Sequence, residues 1–226
     1  MKPLPRFPNP PRKNDALFLF GVRGELPFVY TYLQDEIEVV HGPACKAEKE
    51  IHLDTCRRDG VPVRARRGGG GTVVLSPGMI ITIVVGHRML GEGIRDIYHR
   101  IHGPMLRLLA DNFDIHGRES GVSDLSIGDK KILGSSLYLQ INPGMYFYQS
   151  ALMVASDITL IGRYLQHPPK EPEYRQARPH EEFCTTLERE GFTESIGRIQ
   201  TLFSSNLVNY LRNDERVFEK EQRRHK

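Results

Sequence analysis

The stretch Arg64–Ile80, RARRGGGGTVVLSPGMI, constrains this chain more than any other. Glycine costs stability inside a strand or helix, so a run of four needs a reason. A phosphate-binding P-loop is excluded, because GxxxxGK[ST] would need a helix and a GK[ST] where TVVL stands. The dinucleotide fingerprint fails as well, since Val73 and Val74 occupy the place of a third glycine and no helix begins. What remains is a loop that offers backbone N–H groups and close approach to a chain-like or nucleotide ligand. Arg57, Arg58, Arg64, Arg66 and Arg67 all precede it. Such a local positive field suits an anionic ligand or an acidic partner protein.

The bulk properties leave room for one generous domain of 226 residues, with 39% hydrophobic and 26% charged residues. No apolar run reaches the ~18 residues of a membrane span. The N-terminal MKPLPRFPNPPRK has no signal-peptide apolar stretch behind it, so a cytoplasmic location is expected. A net charge of +3 is too small for nucleic-acid binding by itself. The three cysteines, Cys45, Cys56 and Cys184, form no CxxC, and the nine histidines include no HExxH, so no metal site is expected.

Residues 1–13, with five prolines, are expected to form an extended arm, residues 14–213 a single domain, and residues 214–226 a charged tail where the last helix frays. No accessory domain is expected in so short a remainder. Phe28–Gln34 and Glu36–Gly42 read as paired strands, and Cys45–Gly60 as one short helix. Thr72–Gly86 reads as two strands broken at Ser76-Pro77-Gly78. Ile94, Ile97, Tyr98, Ile101, Met105, Leu108 and Leu109 follow helical spacing, with Pro104 predicting a kink or split. Ser123–Gln140 reads as a hairpin turning at Gly128-Asp129, and Tyr146–Ser156 as a strand. Asp157 is expected to cap a helix containing Leu160, Ile161, Tyr164 and Leu165. A long loop over 167–182 precedes a last helix, capped by Thr193 and reaching Leu211. This irregular order of strands and helices predicts an α+β (mixed α/β) fold, a central mixed sheet flanked by helices.

The second informative segment is GDKKILGSS, Gly128–Ser136. Strict alternation would place Lys131, Leu133 and Ser135 on one face, where an ammonium would seek an anion. In this order, RRGGGGTVVLSPG, SDLSIGDKKILGSSLY and YFYQSALMVASDITLIGRYLQ resemble the lipoate–protein ligase and octanoyltransferase superfamily, to which biotin–protein ligases are distantly related. The resemblance covers roughly Phe28 to Leu211. It implies a biotin/lipoate ligase-like catalytic domain whose glycine loop, at Arg67, Gly69, Gly70, Gly71 and Thr72, closes over an acyl chain and a nucleotide phosphate. Lys131 then contacts the acyl carbonyl and the α-phosphate as the catalytic cation, with Asp124, Gly134, Ser135 and Ser136 around it. A fixed cation in a water-poor site stabilises the charge that carboxyl activation builds.

The implied activity uses ATP, with Mg2+ as its companion ion, to convert lipoate or octanoate to acyl-AMP. The acyl group then passes to a lysine of a lipoyl carrier domain, an acidic acceptor protein. The octanoyltransferase branch instead takes the acyl group from acyl carrier protein without ATP, in some members through a cysteine. Cys184 is the candidate for that role, with His180 four residues before it. This chain departs from the family pattern at Val122-Ser123 before Asp124, at Gln149-Ser150, at Met79, and in KEPEYRQARPHEEF, which replaces a lysine-rich loop. Those departures motivate a further alternative, a non-catalytic relative that binds an acyl chain or a partner.

Overall fold

The computed structural model describes residues 12–140 and 144–224, the stretch 214–224 as backbone only. Most of the expected N-terminal arm therefore lies outside the described residues. The central element is β5 (Met79–His87), in which every residue but His87 is buried. It lies inside a six-stranded sheet with β1 (Phe28–Leu33), β9 (Met145–Met153), β8 (Lys130–Gln140), β7 (Asp124–Ile127) and β6 (Arg118–Ser120), in the order β1-β5-β9-β8-β7-β6. A strand covered on both faces reads as a near-continuous apolar run, and IITIVV is one, interrupted only by Thr82.

One face of this sheet packs on α4 (Ile94–Phe113) and α7 (Ile196–Arg224), where Ile80, Val84, Ile101, Met105 and Phe203 meet. The other face packs on α1 (Asp15–Arg23), α5 (Thr159–Tyr164) and a three-stranded sheet ordered β3-β2-β4. In that small sheet β2 (Glu38–His41) pairs parallel with β3 (Val63–Ala65) and antiparallel with β4 (Val73–Leu75). The α+β class is as expected. The large sheet is antiparallel at every pairing of its strands, and the parallel pairing sits in the small one.

Several local expectations are corrected. β1 pairs with β5 rather than with β2. Gln34 Nε2 donates to Glu36 O at 2.7 Å and to Glu38 Oε1 at 3.1 Å, fixing a corner that sends the chain into the small sheet. The single helix read over 45–60 is two, α2 (Ala47–Glu50) and α3 (Leu53–Arg58), because Ile51 turns extended to bridge Leu165. α4 runs through Pro104 as one element, without a split. The segment 167–182 contains a 3-10 turn, Glu173–Arg175, and the start of α6 (His180–Phe183). α7 begins at Ile196, three residues beyond Thr193, and stays helical past Asp214 to Arg224. Asp157 behaves as expected, its Oδ1 accepting from the Thr159 N–H at 3.0 Å and hydroxyl at 2.7 Å.

Two buried side chains tie the layers to the region described next. Phe18 of α1 is fully buried and stacks on Phe147 at 4.8 Å, seating α1 under the sheet. Phe18→Ala should destabilise the fold by about 3–5 kcal/mol in chemical denaturation, the usual cost of emptying an aromatic core site. His102 of α4 is buried, with Nε2 3.1 Å from the Tyr148 hydroxyl and 3.2 Å from Ser135 Oγ. Burial, with a smaller contribution from His99, lowers its pKa from 6.5 to about 4. The folded state therefore disfavours the proton that the unfolded chain accepts. Stability is complete above pH 6.5 and falls as the pH drops toward 4, by on the order of 3 kcal/mol from this group. His102→Gln should flatten that acid slope in denaturation midpoints taken between pH 7 and 4.

Candidate functional site

The four glycines wrap a buried arginine. Arg66 Nη2 donates to Gly69 O at 3.0 Å and to Gly71 O at 2.7 Å, while Nη1 donates to Val40 O at 3.1 Å. Gly70, between the two acceptors, has φ +98°, a conformation that L side chains rarely adopt. The Gly69 N–H donates to Leu137 O at 3.2 Å, fastening the loop to β8. Burial lowers the Arg66 pKa to about 10, so its guanidinium stays charged at neutral pH. Arg67 points elsewhere: it forms a two-pronged ion pair with Asp15 at 2.7 and 2.9 Å and does not line the cavity under the loop. In this segment Arg66, rather than Arg67, lines the cavity.

That cavity has a volume of about 430 Å3, within the range of small-molecule sites. Gly70, Gly71 and Thr72 line it from one side, and Lys131, Gly134, Ser135 and Ser136 from the other. Its deeper wall is apolar, with Val74, Met79, Ile81, Met153, Ile161 and Phe183. Gly69 is outside this lining and serves as an Arg66 acceptor instead. Thr72 is held by its hydroxyl, which donates to Glu50 Oε2 at 2.7 Å.

Lys131 reaches the cavity because β8 carries a bulge. Leu125 pairs with Leu133, but Ser126 pairs with Lys131, so Ile132 is the extra residue. An extra residue reverses the side on which the preceding side chain emerges. Leu133 therefore enters the core beside Ile132, and Lys131 joins Gly134 and Asp124, which corrects the strict alternation read from the sequence. Lys131 Nζ lies 2.8 Å from Asp124 Oδ1. Gly134 is the register partner of Asp124, and a Cβ there would sit 2.8 Å from Lys131 Nζ, so the lysine folds back over a bare backbone.

The remaining polar groups in the wall include donors and acceptors, the acceptors among them Glu50, Asp124 and Glu171. Arg66 Nε, Arg175 Nη2 and Gln149 Nε2 are buried without hydrogen-bond partners. Ser135 Oγ, by contrast, donates to Ser123 O at 2.7 Å. Cys184 also lines the cavity, buried, and its backbone bridges Lys131. Burial raises the Cys184 thiol pKa, and Lys131 and Arg175 offset only part of that. His180 lies one helical turn before it, but its Nε2–H donates to Gln166 O at 3.2 Å, and burial lowers its pKa. Arg66, Arg175 and Gln149 were not on the list the sequence suggested. The arginine cluster pointed to the first, and the replaced loop gave no signal for the second.

Among the described residues, no helix is long and apolar enough to cross a membrane and no three His, Cys, Asp or Glu side chains gather as a metal site. Curated protein sequences give no match. Among solved structures, the fold superposes on a Thermoplasma acidophilum chain described as a bi-partite lipoate protein ligase with its E2 lipoyl domain, with TM-score 0.71 and 22% identity, covering 84% of this chain and 72% of that one. A lipoate-protein ligase A bound with ATP gives TM-score 0.68 at 20% identity, covering 83% and 72%. A P. falciparum protein in complex with lipoate gives 0.67 at 16%, covering 90% of this chain and 57% of that one. At such identities the likeness is one of fold. The family model for the lipoyl protein ligase A/B catalytic domain matches residues 15–205, nearly the whole described chain, and the protein belongs to that family.

Proposed function

We propose that this protein activates the carboxyl group of lipoate or octanoate with ATP and transfers the acyl group to a lysine of a lipoyl carrier domain. The observation that carries this reading is the Lys131 ammonium, 2.8 Å from Asp124, in the same cavity that Gly70 and Gly71 line. The cavity's apolar side chains suit the acyl chain, and the buried donors Arg66 Nε, Arg175 Nη2 and Gln149 Nε2 suit carboxylate and phosphate oxygens. In the first step a carboxylate oxygen attacks the α-phosphorus and pyrophosphate leaves. In the second, the acceptor amine attacks the acyl carbon, the bond to the AMP oxygen breaks, and the amine gives up a proton. Both steps build negative charge beside Lys131, which stabilises it more in the transition state than in the ground state.

Relatives of similar fold support the choice of ligands: one is described as bound with ATP, another as in complex with lipoate, and a third is described together with its E2 lipoyl domain. Arg57, Arg58 and Arg64 have half or more of their side chains exposed, which suits an acidic acceptor.

A second reading rests on the contact between Lys131 and Cys184. On that route the Cys184 thiolate attacks an octanoyl thioester on acyl carrier protein, the carrier thiol leaves, and the acceptor lysine then displaces Cys184. The raised thiol pKa ranks this behind the adenylate route.

Incubation with ATP and octanoate should yield protein-bound octanoyl-AMP by mass spectrometry. Lys131→Ala should lower transfer to a lipoyl domain by ~100-fold or more, as for loss of an oxyanion donor. Cys184→Ser should leave ATP-dependent transfer within about two-fold of the native rate, because this thiol takes no part in the adenylate steps. Transfer from octanoyl carrier protein without ATP, abolished by Cys184→Ser, would instead establish the thioester route. Binding of octanoate without product by either route would identify a non-catalytic relative.

A further inference from the structure

We propose that Tyr174, from the proline-rich segment between α5 and α6, is a positioning residue that orients Lys131 through Asp124. This rests on the acyl-transfer role of the cavity given above. Asp124 has two partners, one on each carboxylate oxygen. Lys131 Nζ lies 2.8 Å from Oδ1, and the Tyr174 hydroxyl donates to Oδ2 at 2.9 Å. A carboxylate held on one oxygen can turn about its terminal torsion, whereas one held on both cannot. A lysine has four side-chain torsions and needs such an anchor if its ammonium is to stay over one point.

Tyr174 is itself fixed by one residue of the cavity wall, Phe183, and by Gly121 and Arg178, which do not line the cavity. Its ring packs on Phe183 with centroids 5.0 Å apart, and on its other side lies the bare backbone of Gly121, where a Cβ would come within 3.4 Å of the ring. Its carbonyl accepts from Arg178 Nη2 at 2.9 Å. The same guanidinium grips the hairpin turn, with Nη1 2.8 Å from Asp129 Oδ2 and Nη2 2.9 Å from Asp129 O. Asp129 stands two residues before Lys131. The 3-10 turn is thus bound to the β7–β8 hairpin twice, at its tip through Arg178 and near its base through Asp124. Burial, and then the nearby Asp124 charge, raise the Tyr174 pKa, so the phenol remains a donor throughout the working pH range. Tyr174 is not among the residues lining the cavity, so its effect on substrate passes through Asp124 and Lys131.

Tyr174→Phe keeps the ring and removes only the hydrogen bond. It should lower kcat for acyl transfer about 10-fold, since small misplacements of a catalytic group carry such losses, and leave KM for octanoate within about two-fold. The unfolding midpoint should fall by only a few degrees, as for loss of one buried hydrogen bond. In a Lys131→Ala background the same change should have no further effect on rate, because the group it positions is gone. A readout independent of turnover is the lysine side-chain NMR spectrum, in which the Lys131 signal, assigned by its loss in Lys131→Ala, should move toward the free-lysine position in Tyr174→Phe. An unchanged kcat with an unmoved signal would overturn the proposal, as would an equal rate loss in both backgrounds. A native protein that transfers no acyl group would refute the function proposed above, and the NMR shift would still decide the positioning role.

Discussion

The site depends on one buried cation. Arg66 lies at the centre of the glycine loop and satisfies the carbonyls of Val40, Gly69 and Gly71 at once, joining β2 to both ends of the loop. Without that hub three backbone acceptors would lose their shared donor, and the one on buried Val40 would do so at a cost of about 1–3 kcal/mol. The loop would also lose the force that folds it over the cavity rather than into solvent. The cost of burying the guanidinium is visible in its lowered pKa, yet the charge survives at neutral pH. Its neighbour Arg67 braces the same loop from outside through Asp15, so α1 and β3 are clamped where the loop begins.

The second wall is organised by the opposite device. Lys131 is paired with Asp124 and is partly open to the cavity, with 21% of its side chain exposed. A buried ion pair contributes little to stability by itself, and it earns its place by holding a charge in a defined position. The bulge at Ile132, the bare backbone at Gly134 and the hydroxyl of Tyr174 all act on that one ammonium. The two walls come from different sheets. The cavity exists because β4, in the small sheet, continues into β5, at the centre of the large one.

Much of the fold was legible in local pattern. The apolar run of β5, the helical spacing of α4 and the Gly128-Asp129 turn each specify their element within a few residues. Partner choice was not, because β1 and β2 are equally strand-like and only the Gln34 corner decides that they part. In an extended segment adjacent side chains point opposite ways. The sequence therefore announced an arginine at the loop without saying whether Arg66 or Arg67 faces inward. The same limit applied to Lys131, whose direction is set by a one-residue bulge that leaves no compositional mark. The family resemblance located Lys131 and the glycines together. It did not reveal Arg66 as their hub, nor Tyr174 and Arg175, which lie where this chain departs from the family pattern.

The most direct test is a crystal structure of the protein with a non-hydrolysable octanoyl-AMP analogue in which a sulfamate replaces the phosphate. The expected result has the octanoyl chain against Met79, Ile81 and Met153, with Gly70 and Gly71 closed over it and Lys131 Nζ hydrogen-bonded to the acyl carbonyl or sulfamate oxygen. An analogue bound outside this cavity, or bound within it while Lys131 points away from the acyl group, would contradict the account.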